Sequence, residues 1–132
     1  MRTKLLTIGM LALSSSIAMA GRVQSVPVTV TVNADGSGQA SGNMATARAS
    51  ANDVEYIGCG VRRFDNGAGI VTSSGFCQAG DATGVTAACS TLNAELLETI
   101  HNVADYSFVT FSWNSEGQCG LIGISTQSFY IP

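Results

Sequence analysis

An Asn or Asp followed, after two intervening residues, by Gly recurs along this chain, as in Asn33-Ala34-Asp35-Gly36, Asp81-Ala82-Thr83-Gly84 and Asn114-Ser115-Glu116-Gly117. Asp65-Asn66-Gly67 is a shorter relative. The pattern is that of the three-residue hairpin loop, a type I turn closed by a left-handed residue, where Gly is favoured because it has no Cβ to clash. Strand-forming runs flank each turn. The chain is thereby committed to several antiparallel hairpins and to a mainly β fold.

The turns also fix registers. With Gly36 closing its loop, Val32, Val30, Val28 and Val26 face Gly38, Ala40, Gly42 and Met44. The alternating valines predict a half-buried strand over 26–32, and Pro27, which has no N–H to donate, puts it at a sheet edge. From Gly84, Asp81 faces Val85, Ala79 faces Ala87 and Cys77 faces Cys89. From Gly117, Trp113 faces Cys119, Phe111 faces Leu121 and Val109 faces Gly123. Ile57, Cys59 and Val61 share one face of a further strand. Residues 44–52 alternate alanine with polar residues and read as extended, and 128–131 read as a short final strand. The period changes only over 90–103, where Leu92, Leu96, Leu97, Ile100 and Val103 form a helical stripe behind an Asn93 cap. The expected architecture is a small antiparallel β-sandwich or barrel with one short α-helix, stapled by two disulfides.

Arg2 and Lys4, the apolar run Leu5–Leu13 and the small-x-small Ala18-Met19-Ala20 read as a cleaved signal peptide over 1–20, which leaves residues 21–132 as one secreted or periplasmic domain. No cysteine follows the cleavage point, so no lipid anchor is expected, and no apolar run is long enough for a membrane span. The remaining chain has four arginines, no lysine and nine carboxylates, a net charge of −5. That balance argues against nucleic acid as a partner, because phosphate binding needs clustered cations.

Four cysteines in an exported chain predict two disulfides rather than a zinc site, since the spacing of Cys59, Cys77, Cys89 and Cys119 offers no close pair. Cys77 and Cys89 face each other across the Gly84 hairpin within disulfide range, so Cys77–Cys89 with Cys59–Cys119 is the first expectation. Cys59–Cys77 with Cys89–Cys119 is the rival pairing.

Tyr56-Ile57-Gly58-Cys59, Gly75-Phe76-Cys77, Cys89, Phe111-Ser112-Trp113, Cys119 and Tyr130-Ile131-Pro132 resemble a loose group of small exported bacterial proteins of no assigned activity. The likeness covers most of the chain after Asn52. It implies a bacterial secreted domain and carries over no site.

Chemistry is sparse. His101, the single histidine, with Asp105 four residues on, could form half of a nucleophile-activating triad, yet the sequence holds no G-x-S-x-G elbow. An exposed histidine at a helix C-terminus is the plainer account. Most acids sit in turns, where they serve turn geometry and solubility. Asn33-x-Asp35-Gly36 resembles part of a calcium loop but lacks the downstream Glu. No cofactor or metal is expected. Aromatics beyond the core face remain, and Tyr56, Phe64, Tyr106 and Phe108 are the candidate binding surface. The leading functional expectation is a non-enzymatic secreted domain that recognises a protein or carbohydrate, inhibitor- or adhesin-like. The alternatives are a structural subunit using the 26–32 edge strand and a small hydrolase centred on His101.

Overall fold

The computed structural model describes residues 21–131. The expected signal peptide lies outside them, as does Pro132. Seven strands form two antiparallel sheets. The first sheet has the order β1-β2-β6-β7, built from β1 (Thr29–Val32), β2 (Gly38–Asn43), β6 (Phe108–Trp113) and β7 (Cys119–Ser125). The second has the order β3-β4-β5, from β3 (Tyr56–Asp65), β4 (Val71–Gly80) and β5 (Thr86–Thr91). Two short helices, α1 (Met44–Ala49) and α2 (Ala94–His101), connect them. The sheets adjoin where Ser90 of β5 bridges Gln118, with the Ser90 N–H donating to the Gly117 carbonyl at 3.0 Å.

The turn formula sets this layout. Gly36, Gly84 and Gly117 all have positive φ, and their N–H groups donate to the carbonyls of Asn33, Asp81 and Asn114 at 2.9–3.0 Å. The 30↔40, 77↔89, 79↔87 and 113↔119 partners all form as the turns require. The strand expected over 26–32 is shorter, Thr29–Val32: before it the Val28 and Val26 N–H groups donate to the Glu55 carboxylate and the Thr46 hydroxyl. Beyond Trp113 the last hairpin departs from expectation: Phe111 faces Ile122 and Val109 faces Ile124. A register shift at Ser112/Trp113 leaves Gly120 as the extra residue of a bulge. The slip turns Ile122 inward at 7 % exposure and Leu121 outward at 49 %.

Phe111, Val109, Trp113 and Ala40 from one sheet meet Ile57, Cys77, Ala79 and Cys89 from the other, with Ile100 of α2 and Ala47 of α1 closing the core. Trp113 keeps its indole N–H satisfied on the Gly36 carbonyl at 2.8 Å. Its ring occupies the space above Gly38, where a Cβ would lie 2.5 Å from the indole.

The structure corrects the extended reading of 44–52. Met44–Ala49 is helical because the buried Asn43 caps it: its Oδ1 accepts the Thr46 N–H at 2.9 Å while its Nδ2 donates to the Tyr106 carbonyl. Alternating alanines fit either period, and with a cap in place alanine's helix propensity decides. Residues 128–130 form a 3₁₀ turn instead of a strand. Leu92 precedes the Asn93 cap of α2 and is exposed, so it does not belong to the apolar stripe.

The first expectation for the disulfides is also corrected. The bonds are Cys59–Cys77 and Cys89–Cys119, with Cα separations of 4.0 and 5.1 Å. Cys77 lies on the central strand and faces both Cys59 and Cys89, so register alone allows either bond. The loop hydrogen bonds decide between them. Asn66 N–H to Ile70 O and Asp81 N–H to Val85 O, counted along unbroken registers, make 59↔77 a non-hydrogen-bonded position and 77↔89 a hydrogen-bonded one. Side chains are closer at the former. Cys89 is then free to reach Cys119 across the sheet junction, whereas Cys59 lies beyond β4, roughly 10 Å from β5 at the usual strand spacing. Two such bridges mark an oxidising, extracytoplasmic environment. Among the described residues, no helix is long and apolar enough to cross a membrane.

Asp81 does more than close a turn. Its carboxyl is held below the usual 3.8 mainly by the Thr83 hydroxyl, and also by the backbone N–H groups of Val85, Thr83 and Val30 on β1. Asp35 is lowered by the hydroxyl and N–H of Ser37. A depressed carboxyl favours the folded state above its unfolded pKa, and that contribution disappears as pH falls through the folded value. Both therefore stabilise fully above 3.8 and progressively less below it. Thermal melts taken from neutral pH into acid are expected to show a shallower acid decline in an Asp35→Asn/Asp81→Asn variant than in the parent chain.

Candidate binding face

Alternation along β3 and β4 divides their side chains between two faces. Ile57, Cys59, Val61, Gly75, Cys77 and Ala79 point to the core side, where a Cβ on Gly75 would run into Ile100 and Leu97 of α2. The opposite face carries Tyr56, Gly58, Gly60, Arg62 and Phe64 on β3, set against Gly80, Gln78, Phe76, Ser74 and Thr72 on β4. Thr86, Ala88 and Ser90 of β5 complete it.

Aromatic side chains stand on this outward face where polar ones would be usual. Tyr56 is 45 % and Phe64 58 % exposed, and Phe76 is half-buried. Two glycines explain how the rings lie. A Cβ at Gly80 would be 2.6 Å from the Tyr56 ring and one at Gly60 would be 2.7 Å from the Phe76 ring, so each ring rests on the bare backbone of its cross-strand partner. The Arg62 guanidinium sits 4.7 Å from the Phe76 centroid, a cation–π contact. Tyr56, Phe76 (level with Gly60) and Phe64 are thus spaced four residues apart, roughly 13 Å per step at the strand rise. Small residues (Gly58, Ser74, Ala88, Ser90) keep the surface between them low, and Arg62 and Gln78 offer donors.

The four aromatics expected to share a surface are split by the structure. Tyr56 and Phe64 lie on this face. Tyr106 is exposed beside a separate hollow of about 430 Å³, with Asp105, Gln127 and Ile131. Phe108 stacks on Tyr130 at 5.8 Å, and Tyr130 in turn meets Phe129 edge-on at 4.5 Å. Arg62, Phe76 and Gln78 were not singled out from the sequence as site residues. Alternation along β3 alone puts Arg62 on the face of Tyr56, whereas Phe76 and Gln78 on β4 reach it only through the register of the 65–71 loop, whose length the sequence does not make readable.

His101 ends α2 and shares a hollow with Asp105, Arg63 and Cys59, but its lining includes no serine, threonine or free thiol to act as a nucleophile. The sulfurs of Cys77, Cys89 and Cys119 lie within 4.8 Å of one another. All three are in disulfides, so none is the thiolate a metal requires. Comparison with protein-family models, curated proteins and solved structures found no match.

Proposed function

We propose that this chain is a non-enzymatic, exported binding domain that holds its partner on the open face of the three-stranded sheet. The row Tyr56–Phe76–Phe64 carries this reading, because large apolar side chains on an uncovered face are retained at a cost in solubility unless they meet something. Single rings separated by low, polar-edged ground suit an extended carbohydrate chain: each ring stacks on a sugar's C–H face while Arg62 and Gln78 donate to hydroxyls. A protein surface is the alternative partner. A signal peptide and release to the periplasm or medium belong to the same reading, with the disulfides as support.

Titration with soluble polysaccharides, followed by amide NMR shifts, tests it. Shifts are expected along Tyr56–Phe64 and Phe76–Gln78. Phe64→Ala is expected to weaken binding about twofold to tenfold while changing stability by less than about 0.5 kcal/mol. Shifts confined to the Tyr106–Gln127 hollow would move the site elsewhere.

The subunit reading meets an obstacle at the segment leading into β1. The Val28 N–H, just before β1, already donates to the Glu55 carboxylate at 2.7 Å. Such a plugged edge resists addition of a further strand.

A further inference from the structure

The sheet margins other than β3 are each engaged at one point. Glu55 takes the Val28 N–H just before β1, while β5 meets the residue before β7 at the Ser90–Gln118 bridge. The outer half of β3 is different. Among the described residues it has a strand neighbour on one side only. The Asn66–Ile70 hydrogen bond and the unbroken register behind it aim the backbone N–H and C=O groups of Val61, Arg63 and Asp65 away from β4. No proline interrupts this edge.

We propose that this edge pairs with the same edge of a second copy, antiparallel, about a two-fold axis at Phe64. The charges select that register. Centring on Arg63 or Arg62 sets two guanidiniums opposite each other, which is unfavourable. Centring on Val61 drives the contact inward to the part of β3 flanked by α1 and α2. Centring on Phe64 sets Arg63 opposite the partner's Asp65, twice, at hydrogen-bonding positions. It also sets Phe64 against the partner's Phe64 at a non-hydrogen-bonded position, where side chains are closest. Four backbone hydrogen bonds, two ion pairs and an aromatic contact result. The axis is perpendicular to the sheet, so both open faces lie on the same side and their aromatic rows run on through Phe64. The pairing is independent of what that face binds.

Sedimentation equilibrium of the disulfide-bonded chain, from micromolar to millimolar, is the test. The average mass is expected to rise toward two chains. Arg63→Asp and Asp65→Arg should each remain monomeric, and an equimolar mixture of the two should dimerise again, because the carboxylate introduced at position 63 then faces the guanidinium introduced at position 65. Asp65 also accepts the Gly67 N–H at 2.8 Å, so Asp65→Asn, which keeps that acceptor, is the milder probe. It should weaken association about twofold to thirtyfold. If Asp65→Arg does not oxidise correctly, Arg63→Asp must abolish and Arg63→Lys must preserve the dimer. A single-chain mass at every concentration, a dimer indifferent to these changes, or a mixture of folded variants that stays monomeric would each overturn the proposal.

Discussion

Replacing Cys89 and Cys119 together by alanine is expected to lower unfolding free energy by about 2–5 kcal/mol, measured by urea denaturation without reductant. The bond joins residues 30 apart in sequence and ties β5 to β7 at the seam between the two sheets. Strand pairing contributes little there, since the described contact is the one bridge at Ser90–Gln118. Without the bond the unfolded chain regains the freedom of that loop and the seam loses its covalent tie. For a domain whose total stability is on the order of 5–15 kcal/mol, this is a large fraction. Cys59→Ala/Cys77→Ala should cost less. That bond spans 18 residues within a hairpin already paired from Tyr56↔Gly80 to Asp65↔Val71. The reverse order of effects would contradict the seam's dependence on its disulfide.

Phe111→Ala is expected to cost about 3–5 kcal/mol, enough to leave much of the chain unfolded at moderate temperature. Phe111 is fully buried at the centre of the four-stranded sheet, with Ala40 and Ile122 as its cross-strand partners and Trp113 at 5.8 Å. Truncation opens a cavity beneath a tryptophan that is itself anchored to Gly36, so the site cannot collapse readily. A companion pair tests the bulge. Ile122→Ala is expected to cost about 2–5 kcal/mol, whereas Leu121→Ala, at a half-exposed position, should stay within about 1 kcal/mol. Equal effects at the two positions would restore the bulge-free register implied by the Gly117 turn.

That register shows where sequence reading stops. A turn formula specifies the partners next to the loop; near Gly84 those partners propagate along the strands, and near Gly36 they hold as far as Thr29↔Ser41, where β1 ends. Near Gly117 the same logic held for Trp113 and Cys119 and then failed, because Gly120 inserts one residue and every side chain beyond it changes face. The gain is burial of Ile122, which becomes apparent only when the opposing sheet is in place. The candidate face was partly legible for a similar reason. Tyr56, Phe64 and Phe76 could be recognised as surplus to the core and alternation puts Arg62 beside the first two, but Phe76 and Gln78 take their places next to them only through the register of the 65–71 loop. Tyr106 and Phe108 leave the group because they pack beside residues 127–131, a long-range packing outcome.

By itself the sequence determined the hairpins, the cap of α2, the edge position of β1 and the need for two bridges. Each of these follows from local backbone sterics, hydrogen-bonding capacity or composition. Tertiary structure alone decided which cysteine Cys77 would take, the helix over 44–49, and the choice of one sheet face to remain uncovered. These turn on which strand lies beside which, and on the sidedness of hydrogen bonds across a central strand. A linear pattern of residues does not encode either until the sheets have assembled.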